Sequence, residues 1–285
     1  MRELQHRIIH ELGSGGFGTV YKSRLMPFGR VIAVKVLHKG DQEDEQWEKS
    51  TDLAYKGEGT ILPSLNHPHI IRAFHSQGWG TPQVEIFMDL MDGTLADLAW
   101  SLVRPYRALA DTVLCQILQA LDYLNGLGLV HRDVKPQNIF YTRPPRPFPG
   151  STTPDSTMLL LRHHHFRLGD FGLCDSESAV SAALSPRGSY PYMAPELLAT
   201  PRPRHAQSHK SDVWALYVTV LWTLNVRGLR RTMERTGVIG EVLADEVFYL
   251  DNGLQHLEGM AQVNPRHRAS ARRMLKTLGW KRPVE

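Results

Sequence analysis

The spacing of apolar residues changes once along this chain, near Leu95, and that change limits the fold more than any other feature. Before it, residues 7–12, 19–24, 31–37, 70–75 and 84–90 form short runs rich in valine, isoleucine and aromatic side chains, set between glycine or polar stretches. Such runs read as five strands, with the polar segment 41–56 as one helix. After it, Val113, Leu114, Ile117, Leu118, Leu121 and Leu124 recur at i, i+3 and i+4. That is the mark of an amphipathic helix, which Asp111 can cap and Gly126 can end. Residues 213–224 are apolar on nearly every side, which predicts a buried central helix. The expected fold class is α+β: a small β-rich lobe with one main helix over about 5–88, a hinge at 89–92, and a larger, mainly helical lobe over 93–285.

A chain of 285 residues is long enough to bury a sizeable core without staples. Its two cysteines, Cys115 and Cys174, have no CxxC spacing. They build neither a zinc site nor a disulfide framework, so an intracellular home, cytoplasmic or nuclear, is expected. The first twelve residues mix charges into every turn and lack the apolar core of a secretory signal. The longest apolar stretch, 214–224, falls well short of the roughly 20 residues that cross a bilayer, and no membrane span is predicted. The chain starts a few residues before its first strand and stops with its last helix, so no attached regulatory domain is expected.

Net charge is +4, with Lys and Arg spread along the chain apart from Arg266, Arg268, Arg272, Arg273 and Lys276. Without interleaved aromatic residues this cluster reads as a solvated helix face, and no nucleic-acid partner is expected. One segment, 142–165, is rich in proline and reads as a surface insertion. Its Pro144–Pro147 spacing formally matches PxxP, but loop punctuation is the better reading. His163, His164 and His165 close the segment. Adjacent residues on an extended chain point to alternate faces, so these histidines read as exposed strand or loop rather than as a metal site.

Chemistry enters with Gly13, Gly15 and Gly18, a GxGxxG set between two strands. Glycines let backbone N–H groups approach phosphate oxygens, although an ordinary hairpin turn would look alike. A dinucleotide fingerprint would open a helix at once, whereas Thr19-Val20-Tyr21-Lys22 leans to strand. Lys35 ends an apolar strand, and a lysine there suggests a cation aimed at an anion, or one that snorkels outward. Further on stand His131-Arg132-Asp133-Val134-Lys135-Pro136-Gln137-Asn138 and Asp170-Phe171-Gly172. Two carboxylates, an amide and a lysine in two loops can hold Mg²⁺ with few protein ligands and leave the rest to nucleotide phosphates.

In this order, from Gly13 to Arg268, the motifs resemble those of the eukaryotic protein kinase family, serine/threonine type, with the subfamily unresolved. The resemblance implies a bilobal fold in which Gly13, Gly15 and Gly18 cover ATP and Lys35 pairs with its α and β phosphates. It implies that Glu58, in Glu58-Gly59-Thr60-Ile61-Leu62, orients Lys35 from a helix. Asp133 would take or orient the proton of the substrate hydroxyl, Lys135 would steady the γ-phosphate, and Asn138 and Asp170 would ligate Mg²⁺. Met88 matches the gatekeeper and Asp89 to Met91 the hinge that binds adenine, with Val20, Ala33 and Phe140 sandwiching the ring. His131, Phe171, Leu62 and Ala73 match the stacked residues that connect the lobes of active kinases.

Residues 188–196 resemble the end of an activation segment, with Ser189 where threonine is usual. By the same likeness Asp212 anchors the catalytic loop, Glu196 pairs with Arg268, and phosphorylated Ser185 docks on Arg132. The implied function is ATP-dependent phosphorylation of serine and threonine hydroxyls on protein substrates; the alternative is a pseudokinase acting as a nucleotide-binding scaffold. A small-molecule kinase is disfavoured by residues 188–196. Some positions depart from the family pattern. Gly57 and Gly59 flank Glu58, and at about 1 kcal/mol each they predict a frayed or mobile helix. Tyr217 stands where a small residue is usual, and residues 225–263 are short of the segment that often docks substrates. Nothing in the sequence speaks to the oligomeric state.

Overall fold

The structure is a computed structural model and describes residues 3–15, 18–39, 44–103, 107–143, 162–182, 187–199, 207–236 and 253–280. Ser185 and most of the proline-rich insertion lie outside them. The chain divides into two compact units, one of residues 1–91 with Asp170–Cys174, the other of Asp92–Gly169 with Asp175–Glu285.

The first unit is an antiparallel sheet of β1 (His6–Gly15), β2 (Gly18–Leu25), β3 (Val31–His38), β4 (Ala73–Gln77) and β5 (Gln83–Met88), in the order β1-β2-β3-β5-β4. The five predicted strands are all present. The fourth begins at Ala73 rather than residue 70, because the Ile70 N–H closes a turn onto the His67 carbonyl (3.1 Å). Side chains alternate across β3. Ile32, Val34 and Val36 join Leu25 and Phe87 in one apolar cluster, with Leu4, Tyr21 and Phe74 packed against it. Ala33 and Lys35 therefore face the other way. Register carries that second face across the sheet: Gly13 pairs with Val20, Val20 with Lys35, Lys35 with Ile86, and Ala33 with Met88.

Between β3 and β4 lies α1 (Asp44–Ala54), which runs straight into a π-helical turn, Tyr55–Ile61. The Leu62 N–H reaches back to the Gly57 carbonyl, and Pro63 brings no N–H to continue the ladder. This overturns the expectation of a frayed segment. A Cβ on Gly57 would sit 1.9 Å from the Phe171 carbonyl oxygen, and one on Gly59 2.7 Å from the Trp79 ring. Both glycines permit close packing.

The second unit is mainly helical. Helix α2 (Leu95–Ser101) opens on a reciprocal capping box between Thr94 and Asp97. Helix α3 (Arg107–Gly126) buries the apolar stripe read from the sequence and packs against α6 (His209–Thr223) and α8 (Ala271–Thr277), with α4 (Glu177–Ala182), α5 (Pro195–Leu198) and α7 (Leu229–Thr236) coming between these in chain order. Asp111 is not its cap. The helix begins one turn earlier, so Asp111 lies inside it and pairs with Arg107 at i−4 (3.7 Å). Helix α6 is buried at every residue from Ser211 to Thr223, Tyr217 included. Its hydroxyls are satisfied locally: Thr219 donates to the Ala215 carbonyl (2.9 Å) and Thr223 to that of Thr219 (2.8 Å).

Short strands frame the loops of this unit. Gly93–Thr94, Ile139–Thr142 and His165–Leu168 make one sheet, and Leu129–Val130 pairs with Asp175–Ser176. The three histidines are not all exposed, as expected from sequence. His164 is buried between the rings of Tyr141 and Phe166 (5.4 and 6.2 Å), and His165 opens a strand. The basic cluster near the C-terminus is likewise not one solvated face. Arg272 and Lys276 are exposed, but the Arg268 side chain is 0% exposed. It is neutralised by Glu196 (2.7 and 2.9 Å), donates to three carbonyls and lies over the Trp214 ring (5.0 Å). Among the described residues no helix is long and apolar enough to cross a membrane.

Candidate active site

In the first unit the candidate residues gather on the sheet face that carries Lys35. A lysine here is buried, and burial opposes its charge, but the carboxylates of Asp170 and Glu58 outweigh that cost and hold Lys35 above its ordinary pKa. Its Nζ lies 2.8 Å from both Glu58 oxygens and 3.0 Å from Asp170 Oδ1. The Glu58 side chain is 1% exposed, and burial raises its pKa against the pull of Lys35. Asp170 is more open, at 24%, and is held in a left-handed backbone conformation (φ 59°) that few non-glycine residues adopt.

Val20, Ala33 and Met88 share the Lys35 face by register. Gly13 and Gly15 border it, and a Cβ on either would meet nothing within 4 Å. Gly18 differs: at φ +107° its added Cβ would fall 2.4 Å from the Val36 carbonyl oxygen, so the turn itself requires glycine there. At the end of β5 the Asp89 N–H donates to the Arg72 carbonyl (3.0 Å) and its carboxylate accepts from Arg30 (2.7 Å). Met91 is the last residue of this part of the unit. Leu62, Ala73 and Phe171 are all buried within it.

In the second unit the loop from His131 to Asn138 is fixed from beneath. Asp212, on buried α6, accepts the backbone N–H of His131 (2.7 Å) and of Arg132 (2.9 Å). Those two bonds hold Arg132 in the left-handed region, at φ 71°. Burial pushes Asp212 up to about 7, against the two N–H donors and nearby Arg132, with Asp133 adding to the rise.

Asp133 emerges from this loop with each carboxylate oxygen used twice. Oδ1 accepts from Ser189 N (3.0 Å) and Ser189 Oγ (2.8 Å); Oδ2 accepts from Lys135 Nζ (2.7 Å) and Asn138 Nδ2 (2.9 Å). Lys135 Nζ also donates to Ser189 Oγ (2.7 Å). A serine hydroxyl is thus gripped between the carboxylate and the ammonium, its proton directed at the former. Asn138 Nδ2 donates a second time, to the Asp133 carbonyl (2.9 Å), so its amide nitrogen is committed within the loop. Phe140 is half-buried in the strand that follows.

Ser189 and Tyr192 are the functional neighbours that sequence reasoning did not place. Both belong to the 188–196 motif, and Ser189 with Lys135 favours serine/threonine specificity there, but the motif sets neither against Asp133; Tyr192 is held well above its ordinary range by burial and by the charge of Asp133. No local sequence signal marks either contact, since both residues lie more than fifty positions beyond the loop they touch.

Comparison with known proteins bears on the whole of this arrangement. The family model for the protein kinase domain matches residues 6–278. Serine/threonine-protein kinase PknJ of Mycobacterium tuberculosis is 34% identical over 199 residues, 68% of this chain and 30% of that protein. PknF of the same organism is 33% identical over 201 residues, 67% of this chain and 37% of that protein. Serine/threonine-protein kinase 1 of Arabidopsis thaliana is 28% identical over 223 residues, 76% of this chain and 23% of that protein. The chain thus spans about a third of the length of its mycobacterial relatives.

Proposed function

The chain belongs to the protein kinase domain family, and on that premise we propose that it transfers the terminal phosphoryl group of ATP to serine and threonine hydroxyls of protein substrates. One observation carries the reading: Lys35, buried, sits within 3.0 Å of carboxylates supplied by residues 58 and 170. A cation so balanced is pre-positioned and needs no reorganisation when a polyphosphate arrives. Open space beside Gly13 and Gly15 suits backbone cover of that ligand, and Val20, Ala33 and Met88 offer an apolar face for the base. Phe140, Asp89 and Met91 complete the proposed nucleotide contacts.

Mg²⁺ fits the donor chemistry, because Asp170 brings a partly exposed carboxylate and Asn138 an amide oxygen, both hard ligands. Bound there, the ion would neutralise phosphate charge. Asp133 orients the substrate hydroxyl and accepts its proton as the new O–P bond forms and the bond to ADP breaks. Lys135 contributes fixed positive charge to the phosphoryl oxygens. That Asp133 and Lys135 hold the Ser189 hydroxyl between them supports aliphatic over phenolic acceptors. Cys115 and Cys174, neither in a disulfide, suit action inside the cell.

The test is transfer of labelled phosphate from ATP with Mg²⁺ to a serine- and threonine-containing protein, analysed for phosphoserine and phosphothreonine. Asp133→Asn is expected to lower kcat by about 10²–10⁴-fold while nucleotide binding persists. Nucleotide binding without any transfer by the unaltered chain would instead establish a scaffold.

A further inference from the structure

Ser189 can hold Asp133 only if the main chain delivers it there, and three consecutive residues show how. At Gly188, φ is +127° and an added Cβ would lie 2.3 Å from the Arg132 carbonyl oxygen, so the segment passes hard against the loop that bears Asp133. Ser189 then binds Asp133 through both N and Oγ. On the other side, Arg187 is bound by one side chain at both of its backbone groups. Gln207 Nε2 donates to the Arg187 carbonyl (2.8 Å), and the Arg187 N–H donates to Gln207 Oε1, at a longer 3.4 Å. Gln207 is 5% exposed, so its amide has exchanged water for this one peptide.

Gln207 immediately precedes Ser208, whose capping box with Ser211 fixes the start of α6. Five residues later on the same helix, Asp212 holds the N–H groups of His131 and Arg132. One rigid helix start therefore grips the chain that carries Asp133 and the chain that carries Ser189. We infer that Gln207 is a positioning residue for the transfer reaction, setting the Arg187-Gly188-Ser189 main chain so that Ser189 and Lys135 hold Asp133 in register. It touches no reacting atom; its effect passes through Ser189. The inference rests on the proposed phosphotransfer reading, and its test separates the two.

Two net hydrogen bonds place the expected loss for Gln207→Ala at about tenfold in kcat, with KM for ATP unchanged. Gln207→Glu keeps the acceptor for the Arg187 N–H but sets a carboxylate against the Arg187 carbonyl, so it should lose at least as much and serves if the alanine variant folds poorly. Ser189→Ala should show a comparable loss, and the double variant should be no slower than the worse single one. Hydrogen exchange gives a readout independent of turnover: amides of residues 187–190 should exchange faster in Gln207→Ala, with α6 unchanged. If the unaltered chain transfers no phosphate, the functional reading fails while the exchange comparison still decides the clamp. Unaltered kcat and unaltered exchange in Gln207→Ala, or losses that add fully with Ser189→Ala, would overturn the inference.

Discussion

Lys35 in the first unit is balanced by full charges drawn from residues 58 and 170, whereas Asp133 in the second is held largely by hydrogen bonds, from Ser189 N, Ser189 Oγ, Asn138 and the ammonium of Lys135. The two arrangements fail differently. A buried ion pair costs a great deal when one partner goes, because the other charge stays desolvated. A carboxylate ringed by several donors loses them one at a time. The first unit should therefore respond to charge removal mainly in stability, and the second mainly in turnover.

The largest effect that would break this contrast is on Lys35→Met. Glu58 would keep its carboxylate at 1% exposure without the ammonium that pairs with it, and a loss of about 3–5 kcal/mol in unfolding free energy is expected. Because Glu58 can escape only by taking up a proton, the deficit should grow from pH 5 to pH 8. Urea titrations at both pH values measure it. Equal stability of the variant and the unaltered chain would remove charge balance as the organising element of the first unit.

A smaller effect sharpens the same comparison through the backbone. Gly57→Ala places a methyl 1.9 Å from the Phe171 carbonyl oxygen, and a cost of about 1–3 kcal/mol is expected from overpacking. Gly126→Ala, at the end of α3 with nothing within 4 Å of the new methyl, should be neutral or stabilising by up to about 1 kcal/mol. A melting comparison of the two variants decides whether close packing, rather than intrinsic helix propensity, explains the glycines beside Glu58.

That pair of glycines also marks where the sequence was legible and where it was not. Five strands, the long amphipathic helix and the buried central helix followed from periodicity, since each buries a face whose spacing the chain itself records. The loop from His131 to Asn138 was legible because its chemistry is packed into eight consecutive residues. At Gly57 and Gly59 helix propensity predicts fraying that the structure does not show. Their reason is the approach of Phe171 and Trp79, over a hundred positions and twenty positions away, and no local pattern announces a tertiary contact. Charge pattern alone puts Arg268 on a solvated face, whereas the family likeness pairs it with Glu196, and the structure bears out the pair: the neutralising carboxylate stands 72 positions earlier. Asp111 was read as a cap because the turn of helix before it, starting at Arg107, carries no strong start signal.

The most gradual effect concerns pH and separates the two units most finely. Lys35 is held above its ordinary pKa by opposite charges, so while those carboxylates are ionised its contribution is complete below the usual lysine range and falls away only in strong alkali. Asp212 faces mainly neutral backbone donors, with Arg132 and Asp133 as the charges nearby, and burial raises it to about 7. The sign follows from proton counts. Between the unfolded carboxylate's pKa near 4 and about 7, the folded chain retains a proton that the unfolded chain has released. Stability must then fall as pH rises through that window and level off above 7. Asp212→Asn removes this slope while also weakening the hold on His131 and Arg132, so the informative quantity is the difference in slope rather than the offset. Glu58 is raised as well and adds a slope of the same sign, but it is common to both proteins and cancels in the difference. Urea midpoints at pH 5, 6, 7 and 8 should converge between the two proteins as pH rises. Parallel curves would mean that Asp212 is already ionised throughout and that the backbone N–H groups of His131 and Arg132 offset its burial.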